Sequence, residues 1–198
     1  KLTTGTENVA VGSLALDACT TGGGNVGIGV NSLGALTTGA GNTAIGDDSV
    51  ASGVVTGNYN TALGNSSMDA LTSGTLNVGV GRLALAANTT AGSNVAVGAS
   101  ALAANTTGDV NTAVGTSALA SNTTASNNSA LGREALYSNT TGANLTALGN
   151  ASLYNNTTAD NNTAVGYQAL FANTTGGNNT AVGSGALDAN TTGEENTA

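Results

Sequence analysis

The chain has 198 residues, a net charge of −8 and only 7% charged side chains, and it contains no His, no Trp and no Pro. Only three residues are basic, so the chain lacks the Lys and Arg side chains that neutralise phosphates, and we expect no nucleic-acid partner. No apolar run approaches the ~20 residues of a membrane-spanning helix, so we expect no membrane insertion.

One short repeat fills the chain. Counted from the Asn that opens each copy, every interval is 17 residues except one of 18, between Asn42 and Asn60. The repeats start at residues 8, 25, 42, 60, 77, 94, 111, 128, 145, 162, 179 and 196, and Leu145 once replaces the Asn. Self-similarity at a short fixed period is typical of solenoids and fibrous arrays. We therefore predict that residues 1–198 form a single repeat array with no separate second domain.

Repeat positions 1 to 5, numbered from the opening Asn, predict a short β-strand. Position 2 is Val, Thr or Ser and position 4 is Val, Ile or Leu, whereas position 3 is Ala or Gly. This alternation of larger and small residues fits a pleated strand. Position 5 is Gly in all eleven complete repeats, which permits a sharp bend or the close approach of another backbone.

Repeat positions 6 to 12 admit two interpretations. Their Ala and Leu residues favour a helix, but the flanking glycines confine it to about seven residues, and isolated helices need roughly 12 to 15 residues to be stable. We therefore interpret this stretch as a second short strand, followed by an Asn-Thr-Thr-Gly turn at positions 12 to 15. The extra residue of the 18-residue repeat falls in "SGVVTGNY", within that turn.

Each repeat has only two dependable large apolar residues, at positions 4 and 9, which cannot bury a face alone. We predict an all-β fold, a parallel β-solenoid (β-roll) of about eleven 17-residue coils whose identical residues form ladders. The small residues at positions 3, 5 and 8 suggest a surface that another backbone can approach, and from them we predict an intertwined homotrimeric fibre. The predicted core comprises Val11, Leu16, Ile28, Leu33, Ile45, Val50, Leu63, Met68, Val80, Leu85, Val97, Leu102, Val114, Leu119, Leu131, Leu136, Leu148, Leu153, Val165, Leu170, Val182 and Leu187.

The strand motif carries a family resemblance. The runs "NNTAVG" (161–166), "SNVAVG" (93–98) and "GNVGIG" (24–29) resemble the Asn-Ser-Val-Ala-Ile-Gly strand of the head repeats of trimeric autotransporter adhesins. The longer unit "NTAVGYQALFANTTGGN" is also similar to repeats in phage tail fibres and bacterial fibre-like proteins. The adhesin resemblance implies a left-handed parallel β-roll in an intertwined trimer.

From this resemblance we expect a structural segment of an extracellular fibre, either a surface adhesin or a phage tail fibre. The segment would be a rigid stalk or head for attachment, located on a cell surface or a virion. A host-surface receptor or glycan would be reached through flanking domains.

The sequence shows no pattern of catalytic residues. Proton transfer and nucleophilic catalysis need a positioned acid, base or nucleophile, and the paired carboxylates Asp47-Asp48 and Glu194-Glu195 have no basic or aromatic partner in the repeat. The single thiol, Cys19, allows neither a disulfide nor a thiolate cluster. We expect no enzymatic activity, no cofactor and no metal.

The Thr-rich corner leaves an alternative function open. One interpretation is turn chemistry, in which the Thr hydroxyls satisfy backbone groups. Another is a ligand-binding β-solenoid whose corner ladder binds ice or a glycan, and a third is glycosylation of the Asn-Thr-Thr sequons. The candidate surface ladder comprises Thr106, Thr123, Thr140, Thr157, Thr174 and Thr191.

Overall fold

The computed structural model describes residues 4–198, so the first three residues of the predicted array lie outside the described part. Eleven strands of three residues each form one parallel sheet, in which every strand pairs with the next strand along the chain. The described residues form no helix, and so none that could span a membrane. The strands are β1 Val9–Val11, β2 Val26–Ile28, β3 Thr43–Ile45, β4 Thr61–Leu63, β5 Val78–Val80, β6 Val95–Val97, β7 Thr112–Val114, β8 Ser129–Leu131, β9 Thr146–Leu148, β10 Thr163–Val165 and β11 Thr180–Val182.

The pairing register follows the repeat, as the sequence predicts. Thr163 pairs with Thr180, and Val165 pairs with Val182, one repeat further on. The 18-residue repeat keeps this register, because Ile45 still pairs with Leu63. The chain is therefore a parallel β-solenoid of ten to eleven coils.

The extra residue of the 18-residue repeat is accommodated outside the strands. Leu36 and Val55 form an isolated parallel bridge and are both fully buried, whereas the neighbouring Val54 is 66% exposed. The chain therefore bulges outward just before Val55, within the segment in which the sequence predicts the extra residue.

Each strand ends immediately before the position-5 Gly, where the backbone has a conformation that other residues rarely adopt. At Gly98 φ is +135°, and a Cβ on this residue would lie 2.6 Å from the backbone carbonyl carbon and oxygen of Gly115 in the next coil. The absence of a side chain lets successive coils approach each other at the bend.

Repeat positions 6 to 11 form consecutive turns, so the prediction of a second strand is wrong. In the first complete repeat, Ala15, Asp17 and Cys19 donate backbone hydrogen bonds to residues three positions earlier. Positions 7 and 9 have positive φ in every repeat, for example 61° at Leu14 and 53° at Leu16. This left-handed conformation cannot continue a strand, so the chain curls around its position-9 side chain.

Backbone hydrogen bonds join adjacent coils around the whole circumference of the solenoid. On the turn side, Leu16 N–H donates to Ser32 O at 3.1 Å, and at the corner Thr20 N–H donates to Thr37 O at 3.0 Å. On the sheet side, Val26 N–H donates to Asn42 O at 2.8 Å. Each of these bonds joins one coil to the next, so the coils are joined on all sides.

The core of the solenoid is narrow and is filled from two sides. The position-9 side chains are buried from Leu16 to Leu170, and Leu187 in the last complete repeat is partly buried against them. The position-3 strand residues face them and are also buried from Gly27 to Ala181. Half of the predicted core, the position-9 half, therefore lies where the sequence places it.

The other half of the predicted core, at position 4, lies on the outer face of the sheet, so that prediction is wrong for the single chain. Because alternate strand residues point to opposite faces, burying Ala at position 3 turns position 4 outward. Eight of the eleven position-4 side chains are 36% to 60% exposed, and Val80, Val114 and Val165 are half-buried. The exposed residues are Val11, Ile28, Ile45, Leu63, Val97, Leu131, Leu148 and Val182.

Steric space explains which row faces inward. At Gly79 in β5, an added Cβ would lie 2.8 Å from Ser67 Oγ and 3.0 Å from Met68 Cε. At this strand the interior is already crowded for the single methyl group of Ala, which the other strands from β3 to β11 carry at position 3, and a Val or Leu side chain would be more crowded still. It follows that positions 3 and 8 cannot be the surface on which another chain packs, because positions 3 and 8 face the interior.

Candidate functional site

The predicted Thr ladder at position 13 is half-buried, apart from Thr191, which is exposed. Thr106 Oγ1 donates to the backbone carbonyl of Thr123 at 3.0 Å, and Thr123 Oγ1 donates to that of Thr140 at 3.1 Å. The same bond recurs as far as Thr174, whose hydroxyl donates to Thr191 O at 3.0 Å. These hydroxyls hold neighbouring coils together, which is the turn chemistry that one interpretation of the sequence proposed.

The second Thr of each corner, at position 14, points to solvent. Because it lies one residue further along the chain than the bonded Thr, its side chain leaves the coil in another direction. The exposed row is continuous over seven coils and comprises Thr90, Thr107, Thr124, Thr141, Thr158, Thr175 and Thr192. A ligand at this corner would therefore meet the position-14 row first, rather than the ladder named from the sequence.

The Asn residues of the Asn-Thr-Thr sequons are inside the solenoid. Asn122 is fully buried, and its Nδ2 donates to Asn105 Oδ1 at 2.9 Å and to Ala125 O at 3.0 Å. The same pattern links the position-12 residues from Asn88 to Asn190. In the folded chain these amide nitrogens are engaged in hydrogen bonds, so the sequons serve the structure.

A second amide ladder, at position 1, lines the start of the strands. Asn111 Oδ1 accepts the backbone N–H of Asn128 at 3.0 Å, while Asn111 Nδ2 donates to Ala125 O at 2.9 Å. Among residues 4–198, every buried side-chain nitrogen and oxygen has a hydrogen-bond partner. Buried polar groups are costly unless paired, so both ladders contribute to the core rather than weakening it.

The outer face of the sheet, formed by positions 2 and 4, exposes a row of Val, Ile and Leu side chains at position 4. Its position-2 and position-4 residues are half-buried or exposed in every strand. Sequence reasoning assigned position 4 to the core, because large apolar residues are usually buried. The signal that favoured the outer face was the invariably small residue at position 3.

Three aromatic side chains stack at position 10 on the turn side, a feature that the sequence analysis did not single out. The ring centroids of Tyr137 and Tyr154 are 5.1 Å apart, and those of Tyr154 and Phe171 are 5.3 Å apart, with interplanar angles of 9° and 21°. Stacked rings at such distances attract each other modestly. Their spacing of one repeat was the available signal, since residues one repeat apart lie above each other.

The described residues offer little reactive chemistry. Cys19 is fully buried, its Sγ lies 3.5 Å from the carbonyl oxygen of Gly22, and burial raises the pKa of its thiol. Residues 4–198 contain no group of three or more acidic, Cys or His side chains that could hold a metal ion, and these residues form no pocket.

A comparison of this chain with known protein families, curated proteins and solved structures found no match.

Proposed function

We propose that this chain is a rigid structural segment of an extracellular fibre, a stalk or head that serves attachment on a cell surface or a virion. In this proposal three copies form a homotrimeric rod, and a host-surface receptor or glycan is bound by other parts of the fibre. Catalysis has no place in the proposal.

The observation that carries the proposal is the continuity of bonding between coils. The strand, the turn and the corner of each coil all donate or accept backbone hydrogen bonds from the adjacent coil. The two buried amide ladders and the position-13 hydroxyls add side-chain hydrogen bonds that also join adjacent coils. Bending the solenoid would break such bonds on one side, so the architecture favours a stiff rod.

The dimensions suit a spacer. Adjacent strands in a sheet lie about 4.8 Å apart, so eleven strands span roughly 50 Å along the axis. One 17-residue repeat adds one coil, and length can be changed in whole coils without altering the register. A chain with this property would set the distance between an anchor and a tip.

Small-angle X-ray scattering of the purified chain tests the proposal. We expect a rod-shaped particle, and we expect deletion of one complete repeat, residues 111–127, to shorten it by about 5 Å while it remains folded. Deleting only half of that repeat is the matched control, because it destroys the register and should lower the melting temperature. A flexible or compact particle would overturn the rod, and particle mass from the same data would test the trimer.

A second candidate function is ligand binding at the corner, which the exposed Thr row at position 14 favours. Such a row repeats at the coil spacing, so it could match a regular surface such as ice or a polymeric glycan. Thermal hysteresis and binding to a glycan array measure both possibilities directly. A signal that disappears in a Thr107→Val, Thr124→Val, Thr141→Val variant would make the chain a binding module, and no signal would leave the structural role.

A further inference from the structure

We infer that the outer sheet face, formed by repeat positions 2 and 4, is the surface through which copies of this chain associate. The inference rests on the proposed fibre and identifies the interface that assembles it. It also replaces the small-residue surface expected from the sequence, because those residues face the interior of the solenoid.

The chemistry of the outer sheet face is uniform along its length. Position 4 is always Val, Ile or Leu, and position 2 is always Val, Thr or Ser, so no charged side chain interrupts the face in any of the eleven strands. The chain as a whole carries a net charge of −8. An acidic chain that keeps one face free of charge can bring copies together there without placing like charges in direct contact.

The size of the outer sheet face suits a stable interface. Eleven strands at about 4.8 Å, each presenting about 10 Å of backbone over its three residues, give roughly 500 Å². A standard interface buries about 800 Å² per partner, and the largest apolar patch of a typical monomer is about 300–600 Å². The face is therefore as large as the largest apolar patches of monomers, and two such faces in contact would bury about 1,000 Å² in total, the lower limit for a specific interface.

The regularity of the face identifies the partner as a second copy. Its apolar side chains form rows that repeat once per coil, since β1 to β11 pair in register. Another copy carries the same rows at the same spacing, so the two surfaces can interdigitate over the full length. A partner with a different spacing could match the rows over only a few coils.

Sedimentation equilibrium with charge variants tests the inference. The variant Val97→Lys, Leu131→Lys, Leu148→Lys places three charges on the outer sheet face, and the control Thr107→Lys, Thr141→Lys, Thr158→Lys places three on the corner. Both have the same net charge. We expect the unmodified chain and the control to be oligomeric, and the outer-face variant to dissociate to monomer.

A cross-linking experiment does not depend on the folding of the charge variants. Val97 lies in β6, the middle strand of the eleven, so parallel and antiparallel arrangements both place it opposite its counterpart. In a Cys19→Ala background, Val97→Cys should form a disulfide between copies on mild oxidation, and Thr107→Cys should not. Circular dichroism melting of each variant identifies any that has unfolded.

The results of these experiments distinguish a failure of the inferred interface from a failure of the proposed fibre. A monomeric unmodified chain, or an oligomer that the outer-face lysines leave intact, would overturn the inference even if scattering shows a rod. A rod-shaped oligomer that the outer-face lysines dissociate supports both. An oligomer that uses this face but is not rod-shaped supports the interface and overturns the fibre.

Discussion

Asn128 Oδ1 accepts a hydrogen bond of 2.9 Å from the backbone N–H of Leu145, the residue at which the position-1 Asn ladder is interrupted. Leu145 is buried like the Asn residues around it, but its side chain has no oxygen with which to accept the backbone N–H of Asn162. The ladder resumes one coil later, where Asn162 Oδ1 accepts the N–H of Asn179 at 2.8 Å. The interruption therefore affects one backbone amide.

We predict that the Asn162 amide exchanges its hydrogen faster than the equivalent amides of Asn128 and Asn179. Leu145→Asn should supply the missing acceptor and slow this exchange by about fivefold, since a hydrogen bond contributes about 1 kcal/mol and about 1.4 kcal/mol corresponds to a factor of ten. Hydrogen exchange measured by NMR checks both statements. Leu145→Ala is the control because it changes the side chain without adding an acceptor, and an equal slowing in that variant would contradict the explanation.

The two faces of β7 should respond differently to substitution. Ala113 is fully buried and Val114 points outward, so Ala113→Leu forces a larger side chain into a filled interior and should cost about 1–3 kcal/mol or more. Val114→Thr should preserve the secondary structure and melting behaviour of the coil while weakening association between copies. Circular dichroism melting combined with sedimentation separates the two effects. If Val114→Thr destabilised the monomeric fold more than Ala113→Leu, the outward assignment of position 4 would be wrong.

The sequence was sufficient to predict the period, the parallel register and the burial of position 9. These follow from repetition itself, because equal spacing places residues such as Leu102 and Leu119 above each other in consecutive coils. Which strand face is buried could not be predicted in the same way. Positions 2 and 4 are both larger than position 3, and the rule that large apolar residues are buried selected the wrong face.

The turn segment was mispredicted because its backbone is unfavourable for its residues. A left-handed conformation costs a residue such as Leu102, whose φ is 50°, roughly 1–2 kcal/mol. Burying its side chain contributes about 1.5–3 kcal/mol, and hydrogen bonds from adjacent coils fix the backbone further. Packing therefore outweighs the local preference, and no local sequence rule would place Leu in this conformation.

The position-5 Gly should be the residue least tolerant of substitution. Gly98→Ala combines a φ of +135° with a Cβ 2.6 Å from the carbonyl group of Gly115. Strain of this kind costs of order 1–3 kcal/mol, and the overlap with backbone adds to it, so we expect a loss of more than about 3 kcal/mol in the free energy of unfolding. Urea denaturation followed by circular dichroism measures it.

A matched substitution separates this effect from a general intolerance of Ala. Gly177 lies at repeat position 16, which is Ala in other coils, for example at Ala143. An added Cβ at Gly177 would meet only Asp160 O, at 3.2 Å, and φ there is not positive, so Gly177→Ala should change stability by less than about 1 kcal/mol. Equal losses for the two variants would show that close approach of the coils at position 5 is not what requires Gly.

The two Thr residues of one corner should differ although they are adjacent in sequence. Thr123 Oγ1 donates to Thr140 O at 3.1 Å, whereas Thr124 is exposed. Thr123→Val keeps the shape of the side chain and removes the donor, so it should cost about 1 kcal/mol, equivalent to a decrease of about 2–4 °C in melting temperature for a chain of this size. Thr124→Val should stay within about 0.5 kcal/mol, because its hydroxyl faces water. If the outer substitution cost as much as the inner one, the corner would depend on both hydroxyls, and the exposed row would not be free to meet a ligand.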